Sequence, residues 1–145
     1  MAIHFNSDAE IAAIGQGLLE RTLPKAEWTH AAHLAAAAWL IAACPQLDPA
    51  RDMPGIIRAY NETSGVANTD TGGYHDTITQ ASLLAVRDFL SRQPPGTPLH
   101  VACERLIASP YGSKTWLLEY WTPEMLFSKE ARRSWLAPDR APLPF

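Results

Sequence analysis

The sequence predicts an all-α protein, a single helical domain of about five main helices with short helical turns towards the C-terminus and an extended, proline-rich tail. Three observations predict it. Apolar residues recur at helical spacing in five separate stretches, and capping residues, glycines and prolines fall at the ends of those stretches. No run alternates apolar and polar residues in the way a half-buried strand requires. A chain of 145 residues is also long enough to bury about two-thirds of its unfolded surface in one core without covalent staples.

Ser7-Asp8-Ala9-Glu10 has the form of a capping box, in which hydroxyl and carboxylate satisfy each other's backbone amides, so the first helix is expected from Asp8. Ile11, Ile14, Leu18 and Leu19 make its apolar face, and Thr22-Leu23-Pro24 interrupts it. Thr29 is the expected N-cap of the second helix. Ala31 to Ala43 contains almost no polar residue, and its small side chains allow neighbouring helices close, which makes this a buried central helix. Cys44-Pro45 ends it, because a residue before proline is pushed out of the α region.

Gln46 to Asp52 reads as a loop. Met53, Ile56, Ile57 and Tyr60 form the third apolar stripe, with Pro54 in a first-turn position that needs no N–H and Gly65 as the C-cap. Val66 to Gly73 is polar and rich in turn-forming residues. From Tyr74 a second buried helix is expected, with His75, Ile78, Ser82, Ala85, Val86 and Phe89 on one side and Gln93-Pro94-Pro95-Gly96 as its stop. Thr97 as N-cap and Pro98 at the first helical position open a fifth helix carrying Leu99, Ala102, Cys103, Leu106 and Ile107. Ser113 to Trp121 reads as a short helix. Thr122-Pro123-Glu124 and Ser128-Lys129-Glu130 each begin another turn or two, and Pro138 to Phe145 lies extended along the surface.

A 47% apolar, 19% charged composition is that of a globular protein, and a formal charge of −3 without a basic stripe argues against nucleic acid as a partner. The longest apolar run, Leu34 to Cys44, falls far short of the ~20 residues of a membrane span. The N-terminal residues lack a cationic region followed by an apolar one, so no signal peptide and a soluble, cytoplasmic protein are expected. Cys44 and Cys103 fit no metal or redox spacing and are expected as buried, reduced thiols. Nothing in the sequence addresses oligomeric state.

The candidate chemistry centres on histidine. His30 and His33, at i and i+3, share a helical face, and His33 also shares the inward stripe of Ala37, Leu40 and Cys44. His75 shares the inward stripe of Ile78, Ser82 and Phe89, so three imidazoles are expected to converge between two central helices. His30 and His75 would sit in first helical turns, where the dipole disfavours imidazolium and leaves the neutral ring a metal wants. Three nitrogens plus water form an open site for zinc or another divalent metal. Glu27, Asp70 or Asp76 would then orient a ring or act as general base, with Thr29, Thr77 and Thr79 as weaker partners.

Other readings of the same residues stand beside this one. The rings could form a polar pocket without metal, or cap and staple helices; His33 stands where a staple partner of Trp28 would stand. Trp28 and Tyr74 are the expected pocket walls, and Trp39 is expected in the core. Gly72 and Gly73 would leave the first amides of the following helix open to an anion or carbonyl, with Asn68, Thr69 and Asp70 placed to hydrogen-bond it and the loop as a cover; the alternative is that the glycines permit a sharp turn. His4 and His100 match no pattern and are expected on the surface.

Trp28-Thr29-His30-x-x-His33-Leu34, then Asn68-Thr69-Asp70-Thr71-Gly72-Gly73-Tyr74-His75-Asp76-Thr77-Ile78-Thr79, then Leu126-Phe127-Ser128, Ala131-Arg132 and Pro138-Asp139-x-x-Pro142-Leu143-Pro144, together resemble a small bacterial family that has no assigned activity. The resemblance spans residues 28 to 144, with one departure at Asp76, where the pattern has the longer glutamate. It implies no cofactor or substrate. Two functions follow from the residues: a small metal-assisted hydrolase or lyase built on His30, His33 and His75, or a non-catalytic module binding a small molecule or a protein in the same pocket. Haem is admitted by inward histidines in a helical chain, without a specific sign of it.

Overall fold

The computed structural model describes residues 3–145, which form seven α-helices: α1 (Asp8–Glu20), α2 (His30–Ala43), α3 (Pro49–Thr63), α4 (Asp76–Ser91), α5 (Leu99–Ala108), α6 (Pro123–Leu126) and α7 (Lys129–Arg133). Single 3-10 turns stand at Lys25–Glu27, Pro110–Gly112 and Trp116–Glu119, and no strand occurs among the described residues. This is the expected all-α arrangement of five main helices, short C-terminal turns and an irregular tail. None of the described helices is long and apolar enough to cross a membrane.

Local capping chemistry sets most boundaries. Ser7 Oγ accepts from the Glu10 amide, while the Glu10 carboxylate reaches the amide of Asn6 and not that of Ser7, a variant of the expected box. Thr29 Oγ1 accepts from Ala32 N–H at the start of α2, as its position implies. Several boundaries differ from expectation: the helix expected from Tyr74 begins at Asp76, the C-cap expected at Gly65 is Ser64, and of residues 113–121 only Trp116–Glu119 is helical, as a 3-10 turn. The fifth helix begins one residue late, because Thr97 Oγ1 donates to Pro94 O; the amide of His100 is capped from α1, by Asp8 Oδ1 at 2.8 Å. The third helix begins at Pro49, with Asp48 as N-cap, inside the stretch expected to be a loop.

That early start places Pro54 within α3, where its missing N–H would leave the carbonyl of Ala50 without its helical donor. Gln80 of α4 supplies the substitute: its Nε2 donates to Ala50 O at 3.0 Å. A side chain from a neighbouring helix thus makes the interior proline tolerable, and no local rule on residues 46–54 contains that donor.

The helices pack into two apolar clusters. The larger joins Ile11 and Leu18 of α1, Leu34 and Leu40 of α2, Met53 and Tyr60 of α3, Leu83 and Val86 of α4, and Cys103 and Leu106 of α5. Each such side chain stabilises the fold by about 1.5–3 kcal/mol on burial. Trp39 packs on this cluster half-buried, and α1 passes so close to it that Gly15 has no room for a Cβ. Cys44 and Cys103 are buried and unpaired, as expected. Burial pushes the Cys103 thiol up to about 12, so it carries no nucleophile at neutral pH.

The second cluster sets Ala81 and Ala85, from another side of α4, against Trp116, Leu117, Trp121 and Leu126. The tail lies across it, with Leu143 and Phe145 packed on its edge. Thr77, fully buried at the start of α4, fastens the segment after α7: its hydroxyl donates to Ser134 O at 3.0 Å and accepts from Leu136 N–H at 3.1 Å. Trp121 Nε1–H donates to Leu136 O at 3.0 Å. Thr77 is therefore a structural clamp, and it orients none of the histidine rings. Thr77→Val keeps the volume but strands one carbonyl and one amide, so urea unfolding should show a loss of about 1–3 kcal/mol with helicity retained in the folded state.

Candidate functional site

α4 is shared by the two clusters, and where they fail to meet a cavity of about 510 Å³ remains, within the range of small-molecule sites. Leu34 and Ala37 of α2, Met53 and Ile57 of α3, and Ile78 and Leu83 of α4 supply its apolar walls. Leu117, Leu118, Leu126 and Phe127 close it from the C-terminal layer, with Phe127 60% exposed at its edge. Polar atoms come from Thr29, His30, His33, Thr79, Ser82, Lys114 and Thr115. Of the residues singled out from the sequence, Trp28, Thr29, His30, His33 and Thr79 line this cavity.

His33 sits one turn into α2, with its ring stacked on Trp28 at a centroid distance of 3.7 Å and an interplanar angle of 26°. This is the staple position after the Thr29 cap, and such stacking contributes about 0.5–1.5 kcal/mol. Its Nδ1 lies 2.6 Å from the carbonyl of Thr29, which can only accept, so the neutral ring carries its proton on Nδ1 and a lone pair on Nε2. Desolvation first, then the nearby His30 and Lys114, push the His33 pKa down to about 4. The residue also has an open face, so water in the cavity moderates the size of that shift while leaving its direction. At neutral pH His33 is thus an uncharged, oriented hydrogen-bond acceptor.

His30 is held in the opposite sense. Its Nε2 lies 3.0 Å from the carbonyl of Tyr111, so Nε2 donates and the lone pair falls on Nδ1. Tyr111 is itself packed edge-on against Trp116 at 4.9 Å, which ties the ring of α2 to the C-terminal layer.

His75 does not join them. It is the N-cap of α4: its Nδ1 accepts from Ile78 N–H at 3.2 Å, and its Nε2 donates to Leu126 O at 2.7 Å. Both ring nitrogens are committed, the ring is buried, and it contributes no atom to the cavity wall. The expected convergence of His30, His33 and His75 is therefore not formed, and among the described residues no group of three or more His, Cys, Asp or Glu side chains is placed to hold a metal. The shared stripe with Ile78 and Ser82 misled because a residue at the cap has extended backbone, φ −132° and ψ 110°, and leaves the helical face.

The three expected carboxylates also stand elsewhere. Glu27 is exposed in the turn before α2, beside a different surface hollow. Asp70 makes a two-pronged ion pair with Arg133, 2.8 and 2.6 Å, and that guanidinium holds its carboxyl below the usual range. Asp76 accepts from the Tyr74 hydroxyl at 2.6 Å. Burial, then this carboxylate, raise the Tyr74 pKa, and the ring lies under the Arg58 guanidinium at 4.7 Å, away from the cavity.

The loop of residues 66–73 is not a cover. Asn68 organises it, its Oδ1 accepting from Asn61 Nδ2 and from Tyr74 N–H at 3.0 Å each and its Nδ2 donating to Arg58 O at 3.2 Å. Thr69 N–H closes the turn on Gly72 O at 2.9 Å, and Arg132 Nη1 donates to Gly73 O and Tyr74 O. Gly73 has φ +77°, and a Cβ there would meet Ala67 O at 2.5 Å, so the turn reading of the glycines is the one realised. His75 already occupies the helix N-terminus that the open amides were to offer.

The sequence marks Ser82 only as part of an inward stripe, and it singles out none of Lys114, Thr115, Leu117 and Leu118. No spacing signals them, since residues 114–118 reach α2 only through tertiary packing. A larger surface cleft of about 720 Å³ runs between the N-terminal segment and α5, along Phe5, His100, Val101 and Glu104. Its histidines are already paired, His100 with Asp8 at 2.6 Å and His4 with Glu104 at 3.5 Å, and Arg105 donates to Gln93 Oε1 at 3.1 Å, so it offers less chemistry than the smaller cavity. Compared with known protein families, curated proteins and solved structures, the chain has no significant match.

Two outcomes test these placements. Burial, then the Arg132 charge among opposing contributions, lower the pKa of His75 below the ordinary 6.5. Its stabilising contribution is complete above about pH 6.5, shrinks as the unfolded ring takes up a proton, and is gone below the folded pKa. The urea midpoint of the wild type should then fall more steeply between about pH 7 and 5 than that of His75→Asn, which retains a capping acceptor but does not titrate. Gly73→Ala should cost about 1–3 kcal/mol of stability and leave the cavity of the folded protein unchanged, which a dye-binding titration reads.

Proposed function

We propose that this protein is a small-molecule-binding module whose ligand occupies the cavity between α2, α3, α4 and the C-terminal layer, without a metal held by the three histidines. The observation that carries the reading is the pairing of apolar walls with a few oriented polar groups, above all His33, whose ring is fixed by Trp28 and Thr29 and whose Nε2 lone pair is free of any protein partner. An acceptor held rigid before binding costs little to order when a ligand donor arrives. The same geometry suits proton abstraction from a bound molecule, since a carbonyl on Nδ1 orients a base at Nε2.

N-phenyl-1-naphthylamine, a neutral apolar dye that brightens on leaving water, tests occupancy. The wild type should enhance its fluorescence in a saturable manner. Ser82→Phe projects a ring from α4 into the empty volume and should weaken the dye at least tenfold with an unchanged unfolding midpoint. No saturable binding by the wild type, or equal binding by folded Ser82→Phe, would overturn the reading.

A further inference from the structure

We infer that the natural occupant is a monoanionic amphiphile: an apolar or aromatic body with a single carboxylate-type group, seated with its anion at Lys114 and its body against Trp28 and the leucine walls. This rests on the cavity being a ligand site, and goes beyond it by assigning the ligand's charge. Lys114 lines the cavity, and no aspartate or glutamate does. It takes part in none of the ion pairs of the described residues, which join His4 to Glu104, Arg51 to Asp52, Arg92 to Asp88, His100 to Asp8 and Arg133 to Asp70. A chain with a formal charge of −3 thus places one uncompensated cation at the rim of an apolar chamber.

The imidazoles sharpen the assignment. In the neutral form each spends its only N–H on a backbone carbonyl, His30 on Tyr111 and His33 on Thr29, so each keeps a lone pair and not a donor for a further partner. Two lone pairs repel a bare anion and welcome a hydroxyl or N–H. The negative group is therefore directed to Lys114, and a donor elsewhere on the ligand is matched by His33 Nε2. Lys114 is the cavity's one lysine or arginine, and one negative charge neutralises it. A second would remain buried against apolar walls without a partner.

Displacement of N-phenyl-1-naphthylamine by three probes of one length tests this: octanoate, octan-1-ol and octylammonium. For the wild type at low salt, octanoate should displace the dye at about fivefold lower concentration than octanol, the size of an ion pair at a solvent-accessible site. Octylammonium should be the weakest. The preference should vanish in Lys114→Gln, survive in Lys114→Arg, and shrink in 1 M NaCl, where the screening length is about 3 Å. Octanoate no better than octanol, or an undiminished preference in Lys114→Gln, would overturn the inference. Either result leaves the ligand site standing so long as Ser82→Phe still blocks the dye. Absence of dye binding by the wild type would overturn both.

Discussion

The structure depends on one constraint, the burial of α4 on two sides at once. Leu83 and Val86 belong to the bundle of the first five helices, while Ala81 and Ala85 belong to the aromatic layer that follows. A helix in that position cannot expose its first amides to water, and buried polar groups must find partners. His75 and Thr77 meet that demand. The His75 ring caps the helix with one nitrogen and grips Leu126 with the other, and Thr77 binds the chain on both sides of Trp135. The aromatic layer is thereby fixed against α4, and the cavity is the space left where its leucines do not reach the bundle.

Backbone carbonyls decide the chemistry of that space. Three histidines stand around α2 and α4, and each donates its N–H to a carbonyl: Thr29, Tyr111 or Leu126. A carbonyl cannot donate, so each contact selects one neutral tautomer. For His75 the remaining lone pair is used by Ile78 and nothing is left for a ligand. For His30 and His33 no protein donor takes it, and the two residues line an open chamber. The same residue type thus serves as a helix cap in one place and as a recognition group in another, and the difference lies in the second partner.

Charge is segregated in a similar way. The carboxylates of Asp70, Asp52, Asp88 and Asp8 are each engaged by a basic side chain at the periphery, and Asp76 is engaged by the Tyr74 hydroxyl. The cavity is left with a cation and no counter-ion. The hydrogen-bonded loop around Asn68 belongs to this periphery: it joins α3 to α4 and is braced by Arg132 and Arg133 from α7.

The sequence by itself determined what depends on neighbours within a turn or two. Helical periodicity in residues 8–20, 30–43, 76–91 and 99–108, the Thr29 cap, the staple of Trp28 on His33 and the burial of both cysteines were legible there, because caps and stripes are local geometry. One side of the cavity followed too, through Trp28, Thr29, His30, His33 and Thr79. Only the tertiary structure decided the rest. The donor that rescues Pro54 comes from Gln80, the cap of the fifth helix from Asp8, the second partner of His75 from Leu126 and the cation of the site from Lys114. Each pairs residues 30 to 92 positions apart or brings in a segment with no spacing signal, and a hydrogen bond of that range is set by how helices pack and not by the pattern along any one of them.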